Sequence, residues 1–367
     1  MSHVGGDRPS SEALGGISGA GGVPSLDTAD ALELATEDLG APGRDGEPGP
    51  DGRTVPPSVR GRSPGQLAWA RLRRDKVALL SAITLIFFAL VAIFADLIVD
   101  AYGISKDDLF GNQLDSLGYP LGYLGGVSGQ HWFGLEPQLG RDIFVQLVYG
   151  TRTSLGIAMV AALASTTIGV LLGLVSGYLG GWVDAVISWF TDLLLAFPFI
   201  IFSLAAIPIV NTLVTGSVQE QPGVSTRIFV LVGVLVTFGW MSTSRLVRGQ
   251  VLSLREREFV DAARAAGAGT GHMVLRQLLP NLWAPILVTF SLAVPQYVTA
   301  EAALSFLGIG VTEPVPDWGR MIFHSTSYIT ADPFYTFFPG IALFLLVLAF
   351  NLFGDSLRDA LDPRSAR

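Results

Sequence analysis

The sequence predicts an all-α, polytopic membrane protein with six transmembrane helices, and three observations carry that prediction. Half of the 367 residues are hydrophobic and only 15% are charged, well outside the balance of a soluble domain. Six apolar runs approach or exceed the roughly 20 residues that a helix needs to cross a bilayer. Lysine and arginine collect in alternate connections between those runs, as the positive-inside bias requires.

Residues 1–59 carry ten acids against three arginines and therefore most of the formal charge of -8. They are rich in Gly, Pro and Ser and too poor in large apolar residues to offset the entropy of ordering. Residues 1–64 are thus expected to form a disordered, acidic, Gly/Pro-rich cytoplasmic tail. Its five Gly-X-Y triplets, starting at Gly40, Gly43, Gly46, Gly49 and Gly52, suggest a collagen-like register. Linker composition explains so short a run better. No basic and apolar leader opens the chain, so a secretory signal is not expected.

Residues 65–367 are expected to form the six-helix domain, with spans at 77–99, 155–179, 183–210, 228–247, 283–307 and 336–353. Arg60, Arg62, Arg71, Arg73, Arg74 and Lys76 precede the first span, and Arg245, Arg248, Arg255, Arg257, Arg264 and Arg276 crowd the connection between the fourth and fifth. These regions are expected on the cytoplasmic side. The connection at 100–153 holds Asp100, Asp107, Asp108 and Asp115 against Lys106 before Arg141, and is expected outside. Six spans then leave both termini in the cytoplasm.

Polar residues and prolines interrupt two spans. Asp192, Pro198 and Pro208 fall in the third, Pro285 and Pro295 in the fifth, and Glu301 near the outer end of the fifth. Proline frees backbone groups that lipid cannot satisfy, and a charge at mid-bilayer costs about 2.5–3.5 kcal/mol on insertion scales. Asp192, Pro198, Pro295 and Glu301 are therefore the candidates for a translocation pathway. For Asp192 an interior polar contact is the simpler reading, and for Glu301 a carboxylate reaching the membrane interface competes with a functional role.

The cytoplasmic connection at 248–282 has the richest pattern. Phe259, Ala262, Ala263 and Ala266 recur near a 3.6-residue period, Glu256 and Glu258 suit a helix start, and Gly267 suits its end. Thr270 can cap a second helix from about His272, which Pro280 is expected to break. Two rigid pieces joined at Gly267, Gly269 and Gly271 are the result. An amphipathic loop helix usually packs on its own protein, so periodicity alone does not make this a docking element.

Several chemistries are excluded. The only lysines, Lys76 and Lys106, follow Asp75 and Ser105, so no phosphate-binding P-loop exists. His3, His131, His272 and His324 are far apart, no His-Glu-x-x-His or Gly-x-Ser-x-Gly pattern occurs, and there is no cysteine. No metal site, catalytic residue or nucleic-acid partner is expected. An ion-coupled transporter would show paired broken helices in corresponding halves. Asp192 with Pro198 and Glu301 with Pro295 imitate this only loosely.

The residues themselves resemble a known family. Asp261-Ala-Ala-Arg-Ala-Ala-Gly267 through Leu279-Pro280 resembles the EAA loop of bacterial ABC importer permeases, with Asp in place of the usual Glu. Gly140-Arg-Asp142, Tyr149-Gly-Thr-Arg152, Asp192-Leu-Leu-Leu-Ala-Phe-Pro198, Glu301-Ala-Ala-Leu-Ser-Phe-Leu-Gly-Ile-Gly310 and Trp318-Gly319 extend the resemblance over about 65–364. The pattern is that of the C-type permease of the oligopeptide/dipeptide/nickel importers. The segment beginning at Phe133 departs from it, as does the long tail.

The resemblance implies a type I ABC importer permease architecture and a heterodimer with a sister permease. It also implies two cytoplasmic ABC ATPases that use ATP and Mg, an extracytoplasmic substrate-binding protein, and no cofactor held by this chain. Glu258, Asp261, Ala262, Ala263, Gly267, Leu279 and Pro280 would form the ATPase-coupling surface. The implied cargo is an oligopeptide or dipeptide, with nickel or glutathione as the alternative.

Overall fold

A computed structural model describes residues 64–217 and 222–362. The tail expected at 1–64, including its Gly-X-Y triplets, lies outside the described residues except for Pro64. Among the described residues the regular structure is helical, and the β-content is confined to the isolated bridges Leu114 with Pro120 and Leu135 with Asp142.

Helix α1 (Pro64–Arg74) ends in Arg71, Arg73 and Arg74. Asp75 then caps α2 (Lys76–Ile93) by accepting the Val77 amide at 2.8 Å. The first span was expected to run unbroken over 77–99. It breaks at Phe94, and a separate helix α3 (Ala95–Tyr102) follows and stops at Gly103, φ 83°. No proline or glycine marks that break.

Helix α4 (Ile143–Leu179) has 37 residues, about 55 Å at 1.5 Å per residue. It starts twelve residues before the expected span, so the extramembrane connection expected at 100–153 ends at Asp142. That aspartate caps the helix by accepting the Val145 amide at 3.1 Å. Gln146, Thr151, Arg152 and Ser154 make this first part look unlike a span, yet Gln146, Thr151 and Ser154 are buried by packing.

The third expected span, 183–210, is two helices. α5 (Gly181–Leu195) and α6 (Phe199–Thr215) meet at a 90° bend. Pro198 stands at the bend, because the residue before a proline is kept out of the helical region. Pro208, by contrast, is absorbed within α6. α7 (Val224–Leu254) outruns its expected 228–247 at both ends. After a short α8 (Glu258–Ala265), α9 occupies Thr270–Phe306 as one composite span. α10 (Trp318–Ser325) lies between α9 and the last span, α11 (Pro333–Leu361).

The molecule is organised around the contact of α4 with α7. A Cβ on Gly169 or Gly173 would lie 2.6 Å from Thr243 Cβ or Ser244 O, and one on Gly177 2.8 Å from Val251 Cβ. Lipid provides no hydrophobic drive between helices, so such close backbone approach supplies the attraction. The main buried cluster joins Ala158, Ala161 and Ala162 of α4 to Leu231 and Leu235 of α7, Val294 and Val298 of α9 and Leu346 of α11. A second cluster, at the α8 end, decides the site.

Candidate coupling surface and translocation cavity

The second cluster gathers Val170 and Leu174 from α4, Val247 and Val251 from α7, Val260 from α8, and Met273, Leu278 and Leu282 from α9. The opening of α9 is built to supply three of these. It starts as an α-turn, widens into a π-turn over Met273–Leu278, and tightens into a 3-10 turn over Leu279–Leu282. The wide turn lets Met273 and Leu278, five residues apart, reach the same buried face.

Pro280 was expected to break this helix. It instead sits inside the 3-10 turn, where a proline is accommodated, and the helix continues through Trp283 to Phe306. Thr270 was expected to be the cap. The cap position belongs to Gly269, and no side-chain hydrogen bond forms there. The connection expected at 248–282 is thereby shortened to 255–269.

Helix α8 ends where the sequence predicts, through a Schellman motif. Gly267, at φ 81°, donates to the Arg264 carbonyl at 2.9 Å, and Ala268 donates to the Ala263 carbonyl at 3.0 Å. Ala263 and Ala268 both pack on the second cluster, which completes the motif's apolar contact. The buried face, however, is not the expected one. Val260 is fully buried and Ala263 half-buried, whereas Phe259, Ala262 and Ala266 of the predicted apolar stripe are exposed.

The outward face of α8 thus carries Glu258, Phe259, Asp261, Ala262, Ala266 and Gly267. Asp261 pairs with Arg264 at 3.2 Å across one turn. Leu279 is half-buried against the second cluster and, with the exposed Pro280, lines an apolar groove together with Leu163, Leu275 and Trp283. Two ion contacts tie the surroundings together. Arg248 forks onto Asp184 at 2.5 and 2.6 Å, with Ser176 also bonded to Asp184, and Arg255 donates to the Gly177 carbonyl at 3.4 Å. The Arg248–Asp184 fork is not legible in the sequence, where its partners lie 64 residues apart.

The four pathway candidates separate. A cavity of about 430 Å³ lies between the α5–α6 bend, α7 and α9. Phe197 and Phe199, on either side of Pro198, line it, as do Gln296 and Tyr297 just past Pro295. Ser242, Thr243 and Thr289 add hydroxyls, and no charged side chain belongs to the lining. Pro198 and Pro295 do not themselves line this cavity, although residues next to each of them do.

Asp192 does not line that cavity. It makes an exposed ion pair with Arg245 of α7. Glu301 lies elsewhere again and does not reach an interface, for it is fully buried and contacts Ser305 at 3.0 Å. Ser305 also contacts the buried Asp317 at 2.8 Å, and Asp317 caps α10 by accepting the Arg320 amide at 2.8 Å. Glu301 thus joins α9 to the connection that leads into α10.

At the end of the molecule away from α8, residues 103–142 are folded down by buried charges. Arg141 binds Glu136 through two bonds of 2.6 and 3.0 Å and Glu313 at 2.9 Å, and the Tyr335 hydroxyl donates to Glu136 at 2.6 Å. His131 Nδ1 contacts Asp142 at 2.8 Å, and the Tyr102 hydroxyl donates to the same carboxylate at 3.0 Å. Burial opposes ionisation of Glu313, but Arg141 and then Arg320 prevail and hold its carboxyl below the ordinary range. Burial raises the Tyr102 hydroxyl, and Asp142 beside it adds to the rise. The sequence marked Gly140-Arg141-Asp142 as a motif without revealing these partners, the farthest of which, Glu313, is 172 residues from Arg141.

The chain is similar to known proteins. The family described as binding-protein-dependent transport system inner membrane component matches residues 169–367. The N-terminal TM domain of oligopeptide transport permease C matches residues 63–114. The dipeptide transport system permease protein DppC of Alkalihalophilus pseudofirmus is 37% identical over 302 residues, covering 82% of this chain and 90% of its own. The glutathione transport system permease protein GsiD of Pectobacterium atrosepticum is 35% identical over 303 residues, covering 83% and 92%. Among solved structures, an inward-facing form of the MetNI methionine ABC transporter aligns with 60% of this chain and 98% of its own at 20% identity, with a TM-score of 0.48. The chain is a multi-pass membrane protein that belongs to the binding-protein-dependent transport system inner membrane components, as a C-type permease subunit of the ABC importers.

Proposed function

We propose that this permease forms half of the translocation pathway of an ATP-driven importer of short peptides, and that partner ATPases move it by gripping α8. The single observation that carries this reading is the construction of α8. One face is anchored through Val260 to a cluster shared by α4, α7 and α9, and the other presents Phe259, Asp261, Ala262, Ala266 and Gly267 outward. A push on that face is delivered to three spans at once, because packed helices shift as bodies and do not deform continuously.

Two cytoplasmic ATPases using ATP and Mg would supply the push, a sister permease the other half of the pathway, and an extracytoplasmic binding protein the cargo. Short peptides are favoured by the relatives' dipeptide and glutathione cargo and by the cavity at the α5–α6 bend. Its lining is largely aliphatic and aromatic with a few hydroxyl and amide groups and carries no charge, which suits solutes with a common backbone and varied side chains. Glutathione and nickel are the alternative cargoes. An ion-coupled pump is the more distant alternative, and uptake by liposomes holding this chain alone would establish it.

Gly267→Val tests the coupling. A β-branched residue at φ 81° costs about 1–3 kcal/mol and undoes the Schellman turn. Membrane insertion and complex assembly are expected to persist, while uptake and transport-coupled ATP hydrolysis fall at least tenfold. Wild-type uptake by this variant would refute the coupling role.

A further inference from the structure

Between α4 and the first half of α9 runs an apolar groove of about 650 Å³. Its walls are Leu163 and Leu171 from α4 and Leu275, Leu279, Trp283 and Phe290 from α9, and no charged side chain belongs to the lining. Thr167 lines it too, but its hydroxyl donates to the Leu163 carbonyl of its own helix at 2.7 Å. Leu163, Leu171 and Leu275 are 62, 51 and 58% exposed, so the groove opens away from the protein. Exposed leucines in a membrane span face lipid and need no explanation. What sets this place apart is its hollow shape and the charge at its mouth.

Arg276 stands at that mouth. Arg276, Leu279, Pro280 and Trp283 fall at i, i+3, i+4 and i+7, which is one face of a helix, and the last three all line the groove. Long side chains on a helix lean toward its N-terminus, so the guanidinium is carried toward the α8 end and off the apolar walls. Arg276 is exposed. Its neighbours Arg245, Arg248, Arg255 and Arg264 each pair with an acid, whereas Arg276 has no acidic partner among the described residues. From Arg276 to Phe290 the chain rises about 20 Å, against about 15 Å for half of a bilayer's hydrocarbon core. With Arg276 among the headgroups, the groove runs through one leaflet to about the midplane.

Shape and charge select the occupant. Helices that pack together in a membrane do so through small residues that let their backbones approach, as Gly169, Gly173 and Gly177 do toward α7. The groove presents the opposite, large leucines and aromatic rings with a hollow between them. A flexible chain fills such a hollow, and a rigid helix bridges it. A water-soluble ligand would need convergent polar groups to orient it, and the lining does not supply them. A basic group at the cytoplasmic mouth of a pocket between spans is instead the arrangement that holds an anionic lipid headgroup.

We propose that this groove holds an acyl chain of an anionic phospholipid of the inner leaflet, with the headgroup phosphate on Arg276. Relative to bulk lipid the chain gains packing and no hydrophobic transfer, so the headgroup contact decides which lipid stays. The lipid lies against Leu279 and Ile286, which pack on the cluster that anchors α8, and Val170 belongs to both groove and cluster. The proposal rests on the cytoplasmic placement of α8 that the importer reading uses, and not on the cargo.

The test uses the complete importer in nanodiscs of equimolar phosphatidylglycerol and phosphatidylcholine, with a diazirine-bearing residue in place of Leu287, which lines the groove. Mass spectrometry identifies what is captured. Phosphatidylglycerol is expected to exceed phosphatidylcholine about fivefold, the preference that one basic residue confers at a membrane surface. Arg276→Gln is expected to bring the two lipids to parity while total lipid capture persists, and Arg276→Lys to keep the preference. Glycerol phosphate added to the buffer is expected to leave capture unchanged, which separates a lipid from a free phosphate. Equal capture of the two lipids without substitution at Arg276, an undiminished preference in Arg276→Gln, or capture of the sister permease in place of lipid overturns the site. Capture is read whether or not the complex transports. A complex that selects phosphatidylglycerol but takes up no solute therefore upholds the site and overturns the importer reading alone.

Discussion

Ser305 has one hydroxyl proton and stands between two buried carboxyl groups, Glu301 at 3.0 Å and Asp317 at 2.8 Å, while its oxygen accepts the Val311 amide at 3.2 Å. One proton cannot be donated to both acids, so the cluster is satisfied when one carboxyl brings a proton of its own. Glutamine in place of Glu301 supplies an equivalent donor, whereas alanine leaves the cluster short of a partner and opens a void. Glu301→Gln is expected to keep the apparent melting temperature and uptake close to wild type. Glu301→Ala is expected to cost about 1–3 kcal/mol and lower the melting temperature of the solubilised complex. Equal behaviour of the two would remove the hydrogen-bonding account. The sequence marked Glu301 as a pathway candidate or as a carboxylate reaching the interface, and the fold buries it against Ser305 instead. What it did not reveal was the partner, because Asp317 is recognisable only as a helix cap until the fold turns it toward Ser305. The same holds for Arg141, whose acids come from two different connections.

At the scale of elements, the apolar runs located every span and the prolines marked the bend at Pro198, but not the boundaries. Hydropathy reports what lipid touches. Protein covers Gln146, Thr151 and Ser154 in the first part of α4, whereas the ends of α7 and α11 carry exposed polar residues such as Gln250, Asp355 and Arg358, and a window average registers neither as helix. Phe94 interrupts the first helix with no breaker residue at all. The glycines of α4 are legible once their spacing of four is noticed, since Gly169, Gly173 and Gly177 fall on one helix face. Gly173→Leu drives a side chain into the Ser244 carbonyl and Val247, where a Cβ alone would lie 2.6 and 2.8 Å away. Overpacking of this kind costs about 1–3 kcal/mol, and it is expected to lower the apparent melting temperature of the detergent-solubilised chain. Gly156 of the same helix has nothing within 4 Å of an added Cβ, so Gly156→Leu is expected to leave that temperature unchanged. Equal effects at the two sites would mean that the leucine acts through the helix itself and not through its contact with α7.

Across the whole molecule, the coupling surface has meaning only if the membrane separates it from the cap formed by residues 103–142. The fold supplies a relative statement: the cap at 103–142 is bonded to the connection between α9 and α10, and α8 is packed on the opposite ends of α4 and α7. Arginines supply the absolute one, since Arg245, Arg248, Arg255, Arg257, Arg264 and Arg276 surround α8 while the cap is acidic. We therefore expect α8 in the cytoplasm and the cap outside. The chain contains no cysteine, so single substitutions report position without a background. In intact spheroplasts a membrane-impermeant maleimide is expected to label Val127→Cys in the cap and to leave Ala266→Cys unlabelled until the membrane is opened. Both positions are exposed, so differences in labelling reflect the barrier and not burial. The reverse pattern would put α8 out of reach of any cytoplasmic ATPase, and the coupling assignment would fall with it.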